Sequence, residues 1–104
     1  MAETSKMRIY KKIEQNHPRI LAALEALGDT VRSAGPLDKK TSQLIQLAAA
    51  AASQSEGSVH SHTKRALAEG ATREEIEHAV LLLVSVMGFP KTAAALSWTY
   101  DVLE

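Results

Sequence analysis

The sequence predicts an all-α protein of five to six helices in a single domain, assembled as an oligomer. Apolar residues recur at spacings of three and four along most of the chain, which is the period of an amphipathic helix. Glycine and proline separate these segments, as in Gly35-Pro36 and Gly88-Phe89-Pro90, and no segment shows the alternation of a strand. A length of 104 residues suits one domain and is too short for two.

Composition excludes several classes of function. Twelve basic and twelve acidic residues give a formal net charge of zero, so neither nucleic acid nor an anionic membrane is an expected partner. The absence of cysteine rules out disulfides, thiolate metal ligands and cysteine nucleophiles. No apolar run approaches the roughly 20 residues that span a bilayer, and residues 1–12 lack a signal-peptide core. We expect a cytoplasmic protein.

Two helices are predicted before Gly35. After a frayed start at Met1–Ser5, the first carries apolar residues among lysine and glutamate and ends near Asn16. Pro18 is tolerated at the first position of the second helix, which covers residues 18–34. Its apolar residues recur at helical spacing: Ile20, Leu24, Leu27 and Val31. Gly28 weakens this helix by about 1 kcal/mol relative to alanine.

The central helices have clear end signals. Asp38 is the expected N-cap of the third helix, whose alanine run at residues 48–52 allows close helix packing and predicts a central position. The fourth helix is expected at residues 58–69 after a turn at 53–57, with Gly70 as its C-terminal glycine. Thr72-Arg73-Glu74-Glu75 predicts a capping box for the fifth.

The fifth helix predicts an oligomer. From Ala79 to Met87 it is apolar nearly all round, which is typical of a wholly buried helix, and a chain this short cannot cover such a helix alone. A last helix is expected at residues 91–103, where Trp98 and Tyr100 are interpreted as core or interface anchors. The pairs Lys11-Lys12 and Lys39-Lys40 are interpreted as solvated faces.

A polar cluster at residues 55–67 is the candidate site. Ser58 and His62 are four residues apart and therefore share a helix face, where the imidazole could act in proton transfer. The alternative is that Ser55 or Ser58 caps the helix and that the histidines are half-exposed polar residues. Spacing alone favours this alternative.

A metal site is not predicted. His60 and His62 are two residues apart, which places them on different helix faces, and no glutamate or aspartate completes a recognisable ligand set. We therefore expect no metal and no cofactor. His17 is interpreted as a turn residue, and His78 as part of a solvated first turn beside Glu74, Glu75 and Glu77.

The chain resembles the carboxymuconolactone decarboxylase family, which includes the alkylhydroperoxidase D proteins. Three segments carry the resemblance: residues 38–48, residues 62–76 and Gly88-Phe89-Pro90. The middle segment is the most specific, because a histidine opens a helix, a glycine ends it and a capping box begins the next. The resemblance implies an all-helical subunit in a homotrimer or homohexamer. It leaves residues 1–16 as an N-terminal helical extension and residues 18–103 as the family core, within one domain over 1–104.

The resemblance also implies where redox chemistry would be. The redox branch of the family has a C-x-x-C pair, a histidine four residues after it and a glutamate twelve residues before it. Aligning that histidine with His62 places the two cysteines at Ser55 and Ser58 and the glutamate at Gln43. Serine forms no thiolate or disulfide and glutamine carries no proton, so a thiol peroxidase is excluded.

The decarboxylase branch implies a different chemistry. His62 could protonate carbon after loss of carbon dioxide, while Ser55, Ser58 and Gln43 hydrogen-bond a developing oxyanion. Lys64 and Arg65 are the nearest cations for an anionic substrate, although we do not expect either to share the face of Ser58 and His62.

We therefore interpret the chain as a non-redox member with a polar pocket, acting on a small organic acid or lactone by acid–base chemistry. The pocket residues are Gln43, Ser55, Ser58, His60 and His62. The alternative is a non-catalytic member that binds a small ligand or only assembles, in which the serines are caps and the histidines bond across a subunit interface.

Overall fold

The computed structural model describes the backbone of residues 5–104 and the side chains from Arg8 onward. The described residues form helices and no strand, which confirms the all-α prediction. The helices are α1 (Ser5–Asn16), α2 (Pro18–Ser33), α3 (Lys39–Ala52), α4 (Glu56–Ala68), α5 (Arg73–Leu81), α6 (Val84–Met87) and α7 (Phe89–Leu103). The predicted frayed start lies outside the described residues, except for Ser5, where α1 begins. Among these helices, none is both long and apolar enough to cross a membrane.

The chain forms two compact units, the first ending at Leu37 and the second covering Asp38–Glu104. In the first unit α1 packs against α2. Leu21 is buried, whereas the apolar residues that predict α2 are more than half exposed: Ile20, Leu24, Leu27 and Val31. The division after Leu37 lies beyond the boundary near residue 16 that the sequence suggests, and the single-domain organisation stays a prediction.

The core of the second unit is built around α3, which packs against α4, α5 and α7. Its fully buried members are small or medium-sized: Leu47, Ala51, Val59, Ala66, Ile76, Val80 and Ala95. Alanine at α3 and α4 contacts lets the helix backbones approach closely, which explains the central position predicted from the alanine run. Trp98 packs against the edge of this core, as expected for an anchor.

Three threonines are buried in the second unit without losing hydrogen bonds. The hydroxyls of Thr63, Thr92 and Thr99 each donate to the carbonyl four residues earlier, at 2.7, 2.8 and 2.9 Å respectively. This bonding satisfies the hydroxyl inside its own helix. Each threonine can therefore occupy a core position as a small side chain.

The predicted N-terminal caps are present. The carboxylate of Asp38 accepts a hydrogen bond from the backbone N–H of Thr41 at 2.7 Å. Thr72 and Glu75 form the complete capping box of α5. Lys40 does not lie on a purely solvated face as the sequence suggests, because its ammonium donates to Glu75 at 2.9 Å and ties α3 to α5.

Two glycines set the ends of neighbouring helices. Gly70 has φ +89° after α4, and the N–H groups of Gly70 and Ala71 donate to Leu67 and Ala66, completing the predicted glycine C-cap. Gly88 has φ 84° and ψ 167°, a region that only glycine occupies readily, and its carbonyl accepts from the backbone N–H and the hydroxyl of Thr92. Both turns therefore depend on glycine.

The predicted continuous fifth helix is wrong. It ends at Leu81 and resumes as the short α6, with bonds from Leu83 to Val80 and from Val86 to Leu83 that tighten the backbone. One chain does not cover the whole segment, as the sequence suggests: Ile76 and Val80 are buried, and Leu83 and Met87 pack partly buried against the core. Five large apolar residues of the segment and its surroundings are exposed, namely Leu81, Leu82, Val84, Val86 and Phe89. We call these five residues the α5–α7 apolar strip.

We predict that Gly88→Ala lowers the free energy of unfolding by about 1–3 kcal/mol, because a Cβ is strained at this φ and ψ. Denaturant titration measures the change. Gly35→Ala is the matched control, since its Cβ would meet no atom within 4 Å and its φ is not positive. Equal stability of the two variants would contradict the assignment of strain to Gly88.

We predict that the stability gained from the charge of Glu75 disappears in acid. Hydrogen bonds from the backbone N–H of Thr72 and then from the ammonium of Lys40 lower the pKa of Glu75 in the folded state. The charge therefore stabilises the fold above the unfolded pKa of about 4.3 and ceases to do so as pH falls through the lower folded value.

The test compares wild type with Glu75→Gln, which keeps the side-chain acceptor of the capping box. Wild type should have the higher denaturation midpoint at neutral pH, and this advantage should shrink progressively as pH falls below the unfolded pKa of about 4.3. Glu74→Gln, an exposed neighbour outside the capping box, is the control. An advantage of wild type that stays constant as pH falls through this range would contradict the explanation.

Candidate functional site

The candidate site is organised by helix α4, which presents three different faces. Val59, Thr63 and Ala66 are completely buried and form its core face. On a helix of 3.6 residues per turn, Ser58 and His62 lie on one side of this face, while Glu56 and His60 lie on the other. Because α4 packs against both α3 and α7, its two polar flanks meet different helices.

The first flank brings His62 to Gln43 of α3. His62 Nδ1 lies 2.9 Å from Gln43 Oε1, across a sequence separation of 19 residues. Gln43 is only 5% exposed, and His62 is half-buried. The structure therefore joins two of the predicted site residues.

The contact with Gln43 determines the tautomer of His62. An amide oxygen can only accept, so Nδ1 of His62 carries the proton and donates it. In the neutral ring the lone pair then resides on Nε2, the atom that can take up or deliver a proton. A buried neutral partner thus orients the imidazole without adding a charge.

The two serines stand at the start of α4. Ser55 is the N-cap residue, but its side chain makes no capping hydrogen bond. Ser58 is half-buried and lies one turn before His62 on the same flank. The interpretation of Ser55 as a side-chain cap is therefore not supported by the geometry, and Ser58 keeps its predicted position beside His62.

Gln54 stabilises the turn between α3 and α4, which precedes Ser55 and Ser58. Its φ of 54° is left-handed, and its side-chain amide donates to the carbonyls of Ala51 at 2.8 Å and Lys91 at 3.2 Å. These bonds tie the α3–α4 turn to the beginning of α7. The start of α4 is thus fixed from two sides.

Arg65 corrects one expectation. It follows Ser58 by seven residues and His62 by three within the unbroken α4, and these spacings place all three on one flank. Arg65 is half-buried, whereas Lys64 is exposed and points about 100° away. A cation therefore does share the face of Ser58 and His62.

The second flank carries His60 away from the other predicted site residues. His60 Nε2 lies 2.9 Å from Asp101 Oδ2 of α7, and the imidazole side chain is only 8% exposed. Glu56, one turn earlier on α4, has a carboxylate oxygen in the same cluster. The structure thus separates His60 from the pair of His62 and Gln43.

Sequence reasoning missed Asp101 because nothing local indicates it. It lies 41 residues from His60, in the last turn of α7. Only the packing of α4 against α7 brings the two together. Glu56 at four residues before His60 was the one available signal, since that spacing places both on one face.

An open groove lies elsewhere on the second unit, between α3 and α5. Its volume is about 370 Å³, and its lining is mainly apolar: Thr41, Leu44, Ile45, Ala48, Glu75, His78, Ala79 and Leu82. None of these residues belongs to either flank of α4. The groove is therefore separate from the candidate site.

Two proteins similar to this chain are described as uncharacterised. An uncharacterised protein of Methanocaldococcus jannaschii is 29% identical over 102 residues, covering 98% of this chain and 95% of the relative. An uncharacterised protein of the cox locus of Paracoccus denitrificans is 43% identical over 58 residues, covering 56% of this chain. The chain spans about half of the Paracoccus protein, 52% of its length.

A solved structure shares the fold. The apo form of a carboxymuconolactone decarboxylase family protein from Legionella pneumophila superposes with a TM-score of 0.79 at 28% identity, covering 94% of this chain and 90% of the other. The sequence itself matches the Carboxymuconolactone decarboxylase family over residues 18–101. This match includes α4, both of its polar flanks and their partners on α3 and α7, and the chain belongs to the carboxymuconolactone decarboxylase family.

Proposed function

We propose that this chain catalyses cysteine-independent acid–base chemistry, decarboxylation or a related reaction, on a small organic acid or lactone. The observation that carries the proposal is the hydrogen bond between His62 and the buried Gln43. It holds the imidazole in one tautomer and one orientation, which a general acid or base requires. The same two positions correspond to the histidine and the glutamate of the family's redox branch.

The proposed reaction proceeds by loss of carbon dioxide from an anionic substrate. The bond between the carboxylate and its carbon breaks, and the electron pair passes into an enolate. Protonated His62 then delivers a proton from Nε2 to carbon. In the proposed reaction Ser58 hydrogen-bonds the developing oxyanion, and Arg65 on the same flank supplies the positive charge for the substrate carboxylate. Ser55 is the N-cap residue of α4.

Thiol peroxidase activity is not part of the proposal. The chain has no cysteine, and serines occupy both positions where the redox branch has its pair. A serine hydroxyl neither forms a disulfide nor reduces a peroxide. Gln43 in place of a glutamate removes the carboxylate of the proton relay while keeping a hydrogen-bond acceptor for His62.

We predict that His62→Ala lowers kcat by roughly 100- to 10,000-fold, the range for loss of a general acid or base. Gln43→Leu should lower kcat by up to about 100-fold, because the imidazole loses its orientation while the proton carrier remains. The measurement is turnover of a panel of small carboxylated lactones and dicarboxylic acids, followed by release of carbon dioxide. Native mass spectrometry of protein purified without added substrate guides the choice of the panel.

The matched control is His17→Ala, which removes an exposed histidine that makes no side-chain cap on α2. Its turnover should equal that of wild type. Circular dichroism and size-exclusion chromatography check that the folded state and its assembly are unchanged in each variant. An active His62→Ala protein, or a wild type that turns over no member of the panel, would contradict the proposed chemistry.

The second candidate is a non-catalytic member that assembles as a homo-oligomer, a trimer or a hexamer, and holds a small ligand at most. The α5–α7 apolar strip favours it, because Val86 and Phe89 are 78% and 67% exposed in the chain. Several large apolar side chains exposed along one short segment are typical of an interface. Assembly alone is also compatible with catalysis, so the activity measurement decides between the candidates.

We predict that Val86→Glu dissociates the homo-oligomer, because a carboxylate would be buried without a partner at the interface. Analytical ultracentrifugation over a range of protein concentrations measures the mass. Ser97→Glu, which adds the same charge at an exposed position of α7, is the control and should keep the wild-type mass. A monomeric wild type would contradict assembly through this strip.

A further inference from the structure

We propose that Glu56, His60 and Asp101 bind a divalent transition-metal ion of the zinc type. The site is on the flank of α4 opposite to His62 and is independent of the proposed catalytic chemistry. One ligand atom from each of the three residues lies within 4.8 Å of the other two. The ion would link the first turn of α4 to the last turn of α7.

The distances suit coordination. Zinc binds imidazole nitrogen and carboxylate oxygen at about 2.0–2.2 Å, which puts tetrahedral ligand atoms about 3.4 Å from one another. His60 Nε2 and Asp101 Oδ2 are already 2.9 Å apart. Glu56 and Asp101 are exposed, Asp101 by 57%, so their carboxylates can turn to complete the geometry and leave a position for water.

The buried imidazole of His60 is the preorganised member. Its side chain is 8% exposed, so the ring cannot swing into solvent, and its Nε2 edge points at the carboxylate of Asp101. Within the described part of the chain, Nδ1 is buried without a hydrogen-bond partner. No donor among the described residues faces Nδ1, so the ring can adopt the tautomer with its proton on Nδ1 and its lone pair on Nε2, which is the one that binds a metal through Nε2.

Charge also favours a cation here. Two carboxylates and a neutral imidazole balance the two positive charges of the ion. Mixed nitrogen and oxygen ligands select zinc and its first-row neighbours over magnesium or calcium, which prefer oxygen alone.

The rival interpretation is an ion pair between a protonated His60 and the two carboxylates. It uses the same contacts but binds no metal. The two interpretations therefore make different predictions for protein from which metal has been removed. The metal site predicts stoichiometric zinc binding, and the ion pair predicts none.

The experiment titrates zinc chloride into EDTA-stripped, buffer-exchanged full-length protein by calorimetry. Wild type should bind one zinc ion per chain. Asp101→Asn and Glu56→Gln should each weaken binding by roughly tenfold or more, since even loss of an outer-shell partner costs that much. Both residues are exposed, so these variants should keep the wild-type circular dichroism spectrum and thermal midpoint without metal.

Two controls make the result decisive. Glu69→Gln changes an exposed carboxylate at the end of α4 outside the cluster and should bind zinc as wild type does. His62→Asn tests the other flank and should also retain binding. The proposal is overturned by a wild type that binds no zinc, by binding that survives in Asp101→Asn and Glu56→Gln, or by binding lost in His62→Asn alone.

A second measurement does not depend on variants. In crystals of zinc-loaded protein, the anomalous signal should peak within about 2.2 Å of His60 Nε2 and of one oxygen each of Glu56 and Asp101. A peak at His62 or at the chain surface elsewhere would place the ion outside the proposed site and refute it.

Discussion

The burial of one face of α4 is the constraint on which the rest of the second unit depends. Val59, Thr63 and Ala66 are completely buried between neighbouring helices, and a hydroxyl bonded within its own helix makes Thr63 compatible with that position. This face fixes the rotation of the helix. Because a helix turns by about 100° per residue, a shift of the buried face by one residue would rotate His62 away from α3 and His60 away from α7. The packing of Val59, Thr63 and Ala66, and not the histidines themselves, therefore determines that His60 and His62 have different partners.

Local chemistry explains which parts of the fold could be predicted. Asp38, the box of Thr72 with Glu75, and Gly70 act within one helix turn, so their roles are readable from a few consecutive residues. The break between α5 and α6 was not readable. No glycine or proline marks it, and the residues at the break itself, Leu81 to Leu83, are good helix formers, although the weaker formers Val84, Ser85 and Val86 follow. The break arises in how Leu83 and Met87 pack on the core while their neighbours stay outside.

The candidate site likewise has parts that the sequence predicts and parts that only tertiary packing shows. The pairing of His62 with Gln43 was expected from the family resemblance, which supplies a contact 19 residues apart that spacing alone cannot. Asp101 was missed because it approaches His60 only when α7 docks on α4. Arg65 was assigned to the wrong face although its spacing of three from His62 was sufficient to place it. The first miss is physical, since it needs tertiary structure, whereas the second required only helix geometry.

The two flanks show how partners decide what the same side chain can do. Gln43 is neutral and acceptor-only at the contact, so it orients His62 while leaving the ring able to exchange a proton with a substrate. Around His60, two carboxylates create a negative site on a rigid, buried ring, which suits a persistent cation better than a proton in transit. A proton carrier must alternate between its protonated and neutral states, whereas a metal ligand that links two helices must keep one state. The core face of α4 keeps these opposing requirements on opposite sides of one helix.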